Sequence, residues 1–414
     1  MTKSIAGIDV HKRVLMVVVS NVEQLVSTDS KALQKRKFGT TASELRHLLA
    51  WLQDAGVQEV VMESTAQYWK PVWLALEETF QLSLAQAWSN RAPRGKKADF
   101  KDAERLVRRF VAGELTLSYI PDAAQREMRS LTRRRVQLIH DRVRLLSQVE
   151  SLLEETRIKL SSKVSDLFGA SALRIMHALA DGHTDPAALA ALADERIQCS
   201  PEELADALTG TVSEVQRKLL KQHLRVLELL NQQVQELEQL TATTMKPYSD
   251  VITRLARIPG IRVLAGQQIL AEAGPTAEAF PSSAQFAAWI GLCPGSEESA
   301  GENHNSRCPK GNVYLRRVLC QAAQAAVRTK NSFLQQKFRR LLPRLGYAKA
   351  IWAIAHHLAL IIWRILHEGD EYREMGSTTS PQAKKRREQR LKRELRACGY
   401  SDVLVPLPLA APAQ

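Results

Sequence analysis

The sequence predicts an α/β domain built on a mixed sheet, then a long antiparallel helical arm, then a mostly helical carboxyl-terminal domain. Three observations support this reading. Strand-like and helix-like runs alternate through residues 1–118, two heptad-like helices enclose a group of short helices across 119–250, and helical spacing continues over 251–372 ahead of a basic tail at 373–414. Apolar repeats of two residues mark the strands and repeats of 3.6 mark the helices.

Taken in order, Ser4–Val10 and Val14–Val19 are short apolar runs separated by His11-Lys12-Arg13, a hairpin pattern, and Gln34–Phe38 adds a third strand. Thr41-Ala42-Ser43-Glu44 is a capping box ahead of Leu45, Leu48, Leu49 and Leu52 at helical spacing. Val57–Met62 reads as a strand ending at Glu63-Ser64-Thr65. A helix with Trp69, Trp73 and Leu76 on one side follows, and then the strand-like run Gln81–Trp88. Basic residues, Lys96 and Lys97 among them, crowd 91–97 before a helix striped by Ala103, Leu106, Val107 and Phe110. Three strands, helix, strand, helix, strand, helix is the element order of the ribonuclease H-like fold, a mixed-sheet α/β layer.

The acids fall at informative places on that frame. Asp9 shares a strand face with Ile5 and Gly7, because side chains alternate. Glu63 ends the fourth strand, and Asp99 and Asp102 lie on or beside the apolar stripe of the helix after the fifth. Alone, Asp99 and Asp102 suit a helix cap and a first-turn acid as well as they suit a metal site. With Asp9 and Glu63 they make four carboxylates from three segments, which repel one another unless divalent cations neutralise them. Hard oxygen ligands of this kind suit Mg²⁺, with Mn²⁺ as a substitute. Two such ions about 3.5–4 Å apart clamp the attacking and leaving oxygens of a phosphodiester.

Composition points to the partner. The 414 residues carry 58 Lys and Arg against 44 Asp and Glu, a formal charge of +14 that suits a polyanion, most simply nucleic acid. The five cysteines are scattered without a Cys-x-x-Cys pair, which argues for a reducing compartment and against a zinc site or disulfide framework. No signal-peptide pattern opens the chain, and Ala350–Leu366 is too short and too polar for a membrane span. The expectation is a cytoplasmic, nucleoid-associated protein with no membrane partner.

The helical regions carry candidate nucleic-acid contacts. A helix starting at Pro121-Asp122 runs to about Leu160, with a heptad-like seam of Met128, Leu131, Leu138, Leu145, Val149 and Leu152 interrupted by Arg135 and Arg142. Its Arg126, Arg129, Arg133 and Arg134 form either a solvated face or a phosphate-tracking one. A second heptad-like helix contains Leu220, Leu227, Leu230, Val234 and Leu237, so the arm serves either to pair protomers or as an intramolecular spacer. Arg257-Ile258-Pro259-Gly260-Ile261 reads as a helix-hairpin turn whose N–H groups can meet a phosphate, with Gly260 at its centre. Ser296 and Ser299 lie in a polar stretch beside glycines, which ordinarily means a turn. Lys310, Arg316 and Arg317 sit at the head of the next helix, His356 and His357 are read as structural, and Lys384 and Lys385 open a basic run in the tail.

Gly7-Ile8-Asp9-Val10-His11-Lys12, Met62-Glu63-Ser64-Thr65 and Lys97-Ala98-Asp99-Phe100-Lys101-Asp102-Ala103 resemble the three motifs of the DEDD insertion-sequence transposases, whose amino-terminal domain is similar to the RuvC resolvase. Gly291–Gly301 and Pro309–Arg317 resemble the carboxyl-terminal domain of the same family. Ala98 stands where many members have Thr, and Glu298 and Ala300 flank Ser299 where others have Ser and Gly. The resemblance implies Asp9, Glu63, Asp99 and Asp102 as catalytic metal ligands for Mg²⁺ and Ser299 as the nucleophile that forms a 5′-phosphoserine. It also implies donor and target DNA as substrates, a homo-oligomer from dimer to tetramer, and a structured bridge RNA as guide. Two other classes stand beside it: a metal-dependent nuclease or junction resolvase using water, and a non-catalytic nucleic-acid-binding protein that has kept the fold.

Overall fold

The computed structural model describes residues 4–21, 33–63, 66–90, 100–194, 197–295, 297–299, 302–305 and 307–374, with positions 389, 392, 393 and 396 in the tail. The chain divides into two compact units, Met1–Pro121 and Asp122–Gln414.

The first unit is built on six strands: β1 (Ser4–Val10), β2 (Val14–Asn21), β3 (Gln34–Gly39), β4 (Val57–Glu63), β5 (Gln81–Ala85) and β6 (Leu117–Ser118). They are ordered β3-β2-β1-β4-β5-β6. The first three form an antiparallel meander, β1, β4 and β5 run parallel, and β6 returns antiparallel to β5. His11 N donates to Val14 O at 3.0 Å to close the first hairpin. β1 is apolar apart from Ser4 and Asp9, because helices cover both faces of the sheet. On one face Ile8, Leu15, Val17 and Met62 pack with α1 (Ala42–Asp54) and α2 (Trp69–Leu76). On the other, Ile5, Val18, Val61 and Ala85 pack with Ala103, Leu106 and Val107 of α3 (Lys101–Val111). β3 lies at the edge and exposes Lys35, Arg36 and Lys37, charges that discourage further strand pairing.

Two details differ from the sequence expectation. The fifth strand ends at Ala85, and the polar residues beyond it turn as a 3₁₀ helix, Ala87–Asn90. The two-residue strand β6 is too short for any repeat to signal.

In the second unit α4 (Ala123–Glu155) starts at Asp122, whose carboxylate accepts from Gln125 N at 2.7 Å. It packs along α9 (Glu214–Thr244) through Leu138, Leu145, Val149, Leu220, Leu224 and Leu227. The pair is antiparallel: Thr211 N donates to Thr156 O at one end, while Arg135 meets Glu238 at 2.7 Å nearer the other. Four short helices lie between them in sequence: α5 (Leu160–Lys163), α6 (Ala170–Asp181), α7 (Pro186–Ala190) and α8 (Pro201–Ala207).

Beyond the arm come α10 (Ser249–Ala256), α11 (Val263–Ala273), α12 (Ser283–Ile290), the β7–β8 ladder (Glu297–Ser299 and Glu302–Asn305), α13 (Val313–Ala326) and α14 (Phe333–His367). Gly346, at φ +72°, breaks α14 into two helical parts. This helix is long and apolar enough to cross a membrane, but Ala350, Ile354, Leu358 and Ile362 are buried inside the unit and Trp363 Nε1 donates to Phe280 O at 2.8 Å.

Candidate active-site residues

The parallel register pairs Gly7 with Val61 and Ile8 with Met62, so the next residues, Asp9, one before the end of β1, and Glu63, the last of β4, follow side by side. Alternation puts both on the face of Ile5 and Val61, the face that α3 covers. Gly7 lets that helix come close: a β-carbon there would lie 2.7 Å from the Ala103 carbonyl oxygen and 2.3 Å from Val107 Cγ2. Asp102, in the first turn of α3, is thereby brought into electrostatic contact with Asp9. Burial pushes the Asp9 carboxyl above its usual range, His11 opposes the shift, and Asp102 adds to it. His11 Nε2 lies 3.2 Å from Asp9 Oδ2. Arg105 Nη2 donates to Asp102 Oδ1 at 2.7 Å, and Asn90 Nδ2 donates to Glu63 Oε2 at 2.8 Å.

Phe100 holds the N-cap position of α3 without a side-chain hydrogen bond, so no carboxylate among the described residues caps this helix. Asp99 lies outside the described residues, as do Lys96, Lys97, Ser296, Lys384 and Lys385. Among the described residues no three His, Cys, Asp or Glu side chains converge as a metal cluster. Asp9 and Asp102, which interact electrostatically, and Glu63, on the same sheet face, offer only hard oxygens, and the Asn90 amide bonded to Glu63 carries a buried carbonyl oxygen with no partner among the described residues. That donor set fits Mg²⁺ or Mn²⁺ and not a thiophilic ion.

In the second unit Ser299 is the last residue of β7 and pairs with Glu302 of β8. The sequence suggests a polar turn, and the antiparallel pairing places Ser299 where β7 gives way to the connection to β8. At the base of this ladder Gly295 N donates to Arg307 O at 3.0 Å. The return arm is fixed in two places. Trp352 Nε1 approaches Cys308 Sγ at 3.1 Å, and Asn312 caps α13 by accepting from Tyr314 N and Leu315 N at 3.1 and 3.0 Å. Gly311 packs directly on the Ile290–Gly291 backbone, where a β-carbon would meet Ile290 O at 2.4 Å.

Beneath this arm is a carboxylate the sequence reading passed over. Glu272, with no exposed surface, accepts from Arg133 Nε and Nη2 at 2.7 and 2.8 Å and from Asn312 Nδ2 at 2.7 Å, with Arg129 Nε 3.4 Å away. Arg129 and Gln125 also bind the Ala271 and Glu272 carbonyls at the carboxyl end of α11, where helix acceptors lack internal donors. A lone acid in an otherwise uncharged helix was the available signal, since such a charge is seldom buried without a partner.

The expected nucleic-acid contacts separate accordingly. Arg133 is engaged with Glu272 and stacks over Tyr314 at 4.6 Å, whereas Arg134 and Lys310 are exposed and Arg317 is half-buried. Gly260, at φ +86°, faces the α13 backbone, where a β-carbon would lie 2.2 Å from Ala322 O, so the glycine serves close packing. Arg316 lies over the Trp352 ring at 6.0 Å and keeps a buried Nε without a partner among the described residues.

Comparison with known proteins agrees with this layout. Residues 6–158 match the family model of DEDD transposases of the IS110 type, and residues 252–338 match that of the transposase IS116/IS110/IS902 family. A probable family 20 transposase of Pseudomonas aeruginosa is 28% identical over 322 residues, covering 76% of this chain and 85% of the relative. The transposase for insertion sequence element IS1111A of Coxiella burnetii is 26% identical over 328 residues, covering 76% and 79%. The acids on one sheet face and the two family matches at either end of the chain lead to one conclusion: the protein belongs to the IS110-type DEDD transposases of insertion sequences.

Proposed function

We propose that this transposase is a site-specific DNA recombinase that cuts and rejoins donor and target strands through a 5′-phosphoserine at Ser299. The serine oxygen bonds to phosphorus as the bond to the 3′-oxygen breaks; the hydroxyl proton passes to a base, and the leaving 3′-oxygen takes up a proton from a general acid or water and departs as a 3′-hydroxyl. Attack by a 3′-hydroxyl of the other duplex reverses the step, rejoins DNA and frees the serine. Serine is a poor nucleophile at its ordinary pKa and needs this help. The observation that carries the reading is the set of oxygen donors Asp9, Glu63 and Asp102 on one face of the mixed sheet. With Asp99 they would hold Mg²⁺ or Mn²⁺, which supplies Lewis-acid activation when bound. Lys310, Arg316 and Arg317 would steady the charge that develops on phosphorus.

The strand order and element order are in keeping with a RuvC-like fold for the first unit. A structured bridge RNA as guide and a dimeric to tetrameric assembly complete the proposal. The formal charge of +14 and the family resemblance support the RNA, and sequencing RNA that co-purifies with the protein tests it.

The central test is a covalent protein–DNA adduct on denaturing gels, formed by the wild type with Mg²⁺ and absent in Ser299→Ala. An adduct that survives the substitution would falsify the assignment of the nucleophile. Strand cleavage with no adduct in either protein would favour a water-using resolvase.

A further inference from the structure

Asn90 is not among the four acids, yet no other described polar side chain near them is as deeply buried: it is 2% exposed. It ends the 3₁₀ turn that follows β5. Two arginines of α3 hold that turn from the backbone, Arg105 Nε donating to Asn90 O at 3.1 Å and Arg109 Nη1 to Ser89 O at 2.9 Å. Because Arg105 Nη2 also reaches Asp102 Oδ1 at 2.7 Å, one guanidinium ties Asn90 to Asp102. The side chain of Asn90 meets a second acid, Nδ2 donating to Glu63 Oε2 at 2.8 Å. This contact settles which way the amide faces, since the opposite orientation would set its carbonyl oxygen against a carboxylate oxygen.

The consequence is an oxygen with nothing to accept. Asn90 Oδ1 is buried and has no hydrogen-bond donor among the described residues. Buried carbonyls are costly in that state and are almost always satisfied, so the exception asks for a partner. The partner must be a donor or a cation, and the surroundings favour a cation: Glu63 is directly bonded to this amide, and Asp102 is one arginine away. Amide carbonyl oxygens together with carboxylates are the usual mixed donor set of hard divalent cations.

We propose that Asn90 is a further member of the metal site, its Oδ1 a neutral ligand of the divalent cation that Glu63 would hold, and its Nδ2 the group that orients Glu63. This rests on the reading of Asp9, Glu63 and Asp102 as metal ligands. It adds a ligand outside the acid motifs, on a turn with no sequence periodicity of its own.

Calorimetric titration of the full chain with Mn²⁺, paired with thermal midpoints in chelator, tests the proposal. Asn90→Ala is expected to weaken Mn²⁺ affinity 10–100-fold, the range seen when groups supporting a metal site are removed. Asn90→Asp keeps an oxygen at the ligand position but sets a second carboxylate against Glu63. It is expected to lower the thermal midpoint in chelator while binding Mn²⁺ at least as tightly as the wild type. If Asn90 matters only as an amide donor to Glu63, Asn90→Asp will weaken Mn²⁺ as much as Asn90→Ala, and the ligand assignment is overturned. Unchanged affinity in Asn90→Ala overturns it too, as would a buried water in place of the ion. Asp9→Asn and Asp102→Asn separate the two levels. If both leave Mn²⁺ affinity unchanged, or the wild type binds none, the acid site itself is misread and Asn90 falls with it. If both abolish binding and Asn90→Ala leaves the affinity at the wild-type value, only the Asn90 proposal fails.

Discussion

Asn312 donates its side-chain amide to the fully buried Glu272 at 2.7 Å while its carbonyl oxygen caps α13, so one side chain joins the interior of the second unit to the arm that returns from the serine ladder. Removing the carboxylate leaves this amide and the Arg133 guanidinium without their acceptor. Glu272→Ala is expected to destabilise the unit by about 3–5 kcal/mol, the usual cost of breaking a buried ion pair from one side. Glu272→Gln, which keeps an acceptor, should lose less. Denaturant midpoints measure both, and a midpoint in Glu272→Ala equal to that of the wild type would contradict the network.

Gly7 controls the approach of α3 to the sheet. A methyl group there meets the Ala103 carbonyl oxygen at 2.7 Å as well as the Val107 side chain, and a backbone oxygen cannot rotate away. The helix must shift and take Asp102 with it. Gly7→Ala is therefore expected to cost about 1–3 kcal/mol, as overpacking does. It should also reduce adduct formation by roughly 100-fold, the scale of a 1 Å misplacement at a reacting centre. A variant that is destabilised but forms adduct at the wild-type rate would show that the contact between α3 and β1 does not set the geometry of the acids.

Periodicity explains what could be read from the sequence and what could not. Asp9 and Glu63 were legible because a two-residue repeat assigns each to a strand face, and both lie at or next to the ends of apolar runs that must pair in a buried sheet. The helix Ala42–Asp54 was legible because Leu45, Leu48, Leu49 and Leu52 recur at helical spacing behind a capping sequence. The turn carrying Asn90 has four residues and no repeat, and the strand after α3 has two. Arg129 and Arg133 show a different limit. Spaced four apart on a polar helix they look like a surface stripe, and only the tertiary partner, Glu272 on a helix some 140 positions later, turns them inward. Gly260 is similar, because its need for a bare α-carbon arises from Ala322, which local sequence does not contain.

His357 makes stability depend on pH. Its Nδ1 lies 2.9 Å from Lys337 Nζ, and burial, with Lys337 and His356 adding to it, lowers its pKa from 6.5 to about 4. The unfolded chain therefore binds a proton that the folded chain refuses between those values. The stability contributed by the neutral imidazole is complete above about pH 6.5, declines as pH falls, and is gone below about pH 4. His357→Gln should flatten the fall in denaturant midpoint over this window by the equivalent of up to about one proton. Parallel profiles for variant and wild type would refute a neutral buried imidazole at this position.

Arg133 and Arg134 are neighbours on one helix with opposite expected phenotypes. Arg133 lies in the pair with Glu272, so Arg133→Ala should lower stability by about 1–3 kcal/mol through the acceptor it leaves unsatisfied. Arg134 is exposed. If it lies against a phosphate, Arg134→Ala leaves the denaturant midpoint unchanged and reduces the slope of log affinity against log salt by about 0.9 on duplex DNA. Anisotropy titrations over a salt series, alongside denaturant midpoints, give both quantities for each variant. A changed salt slope in Arg133→Ala at full stability would return that side chain to the nucleic-acid face. An unchanged slope in Arg134→Ala would remove the amino-terminal part of α4 from the DNA path and leave Lys310 and Arg317 as the basic groups to test next.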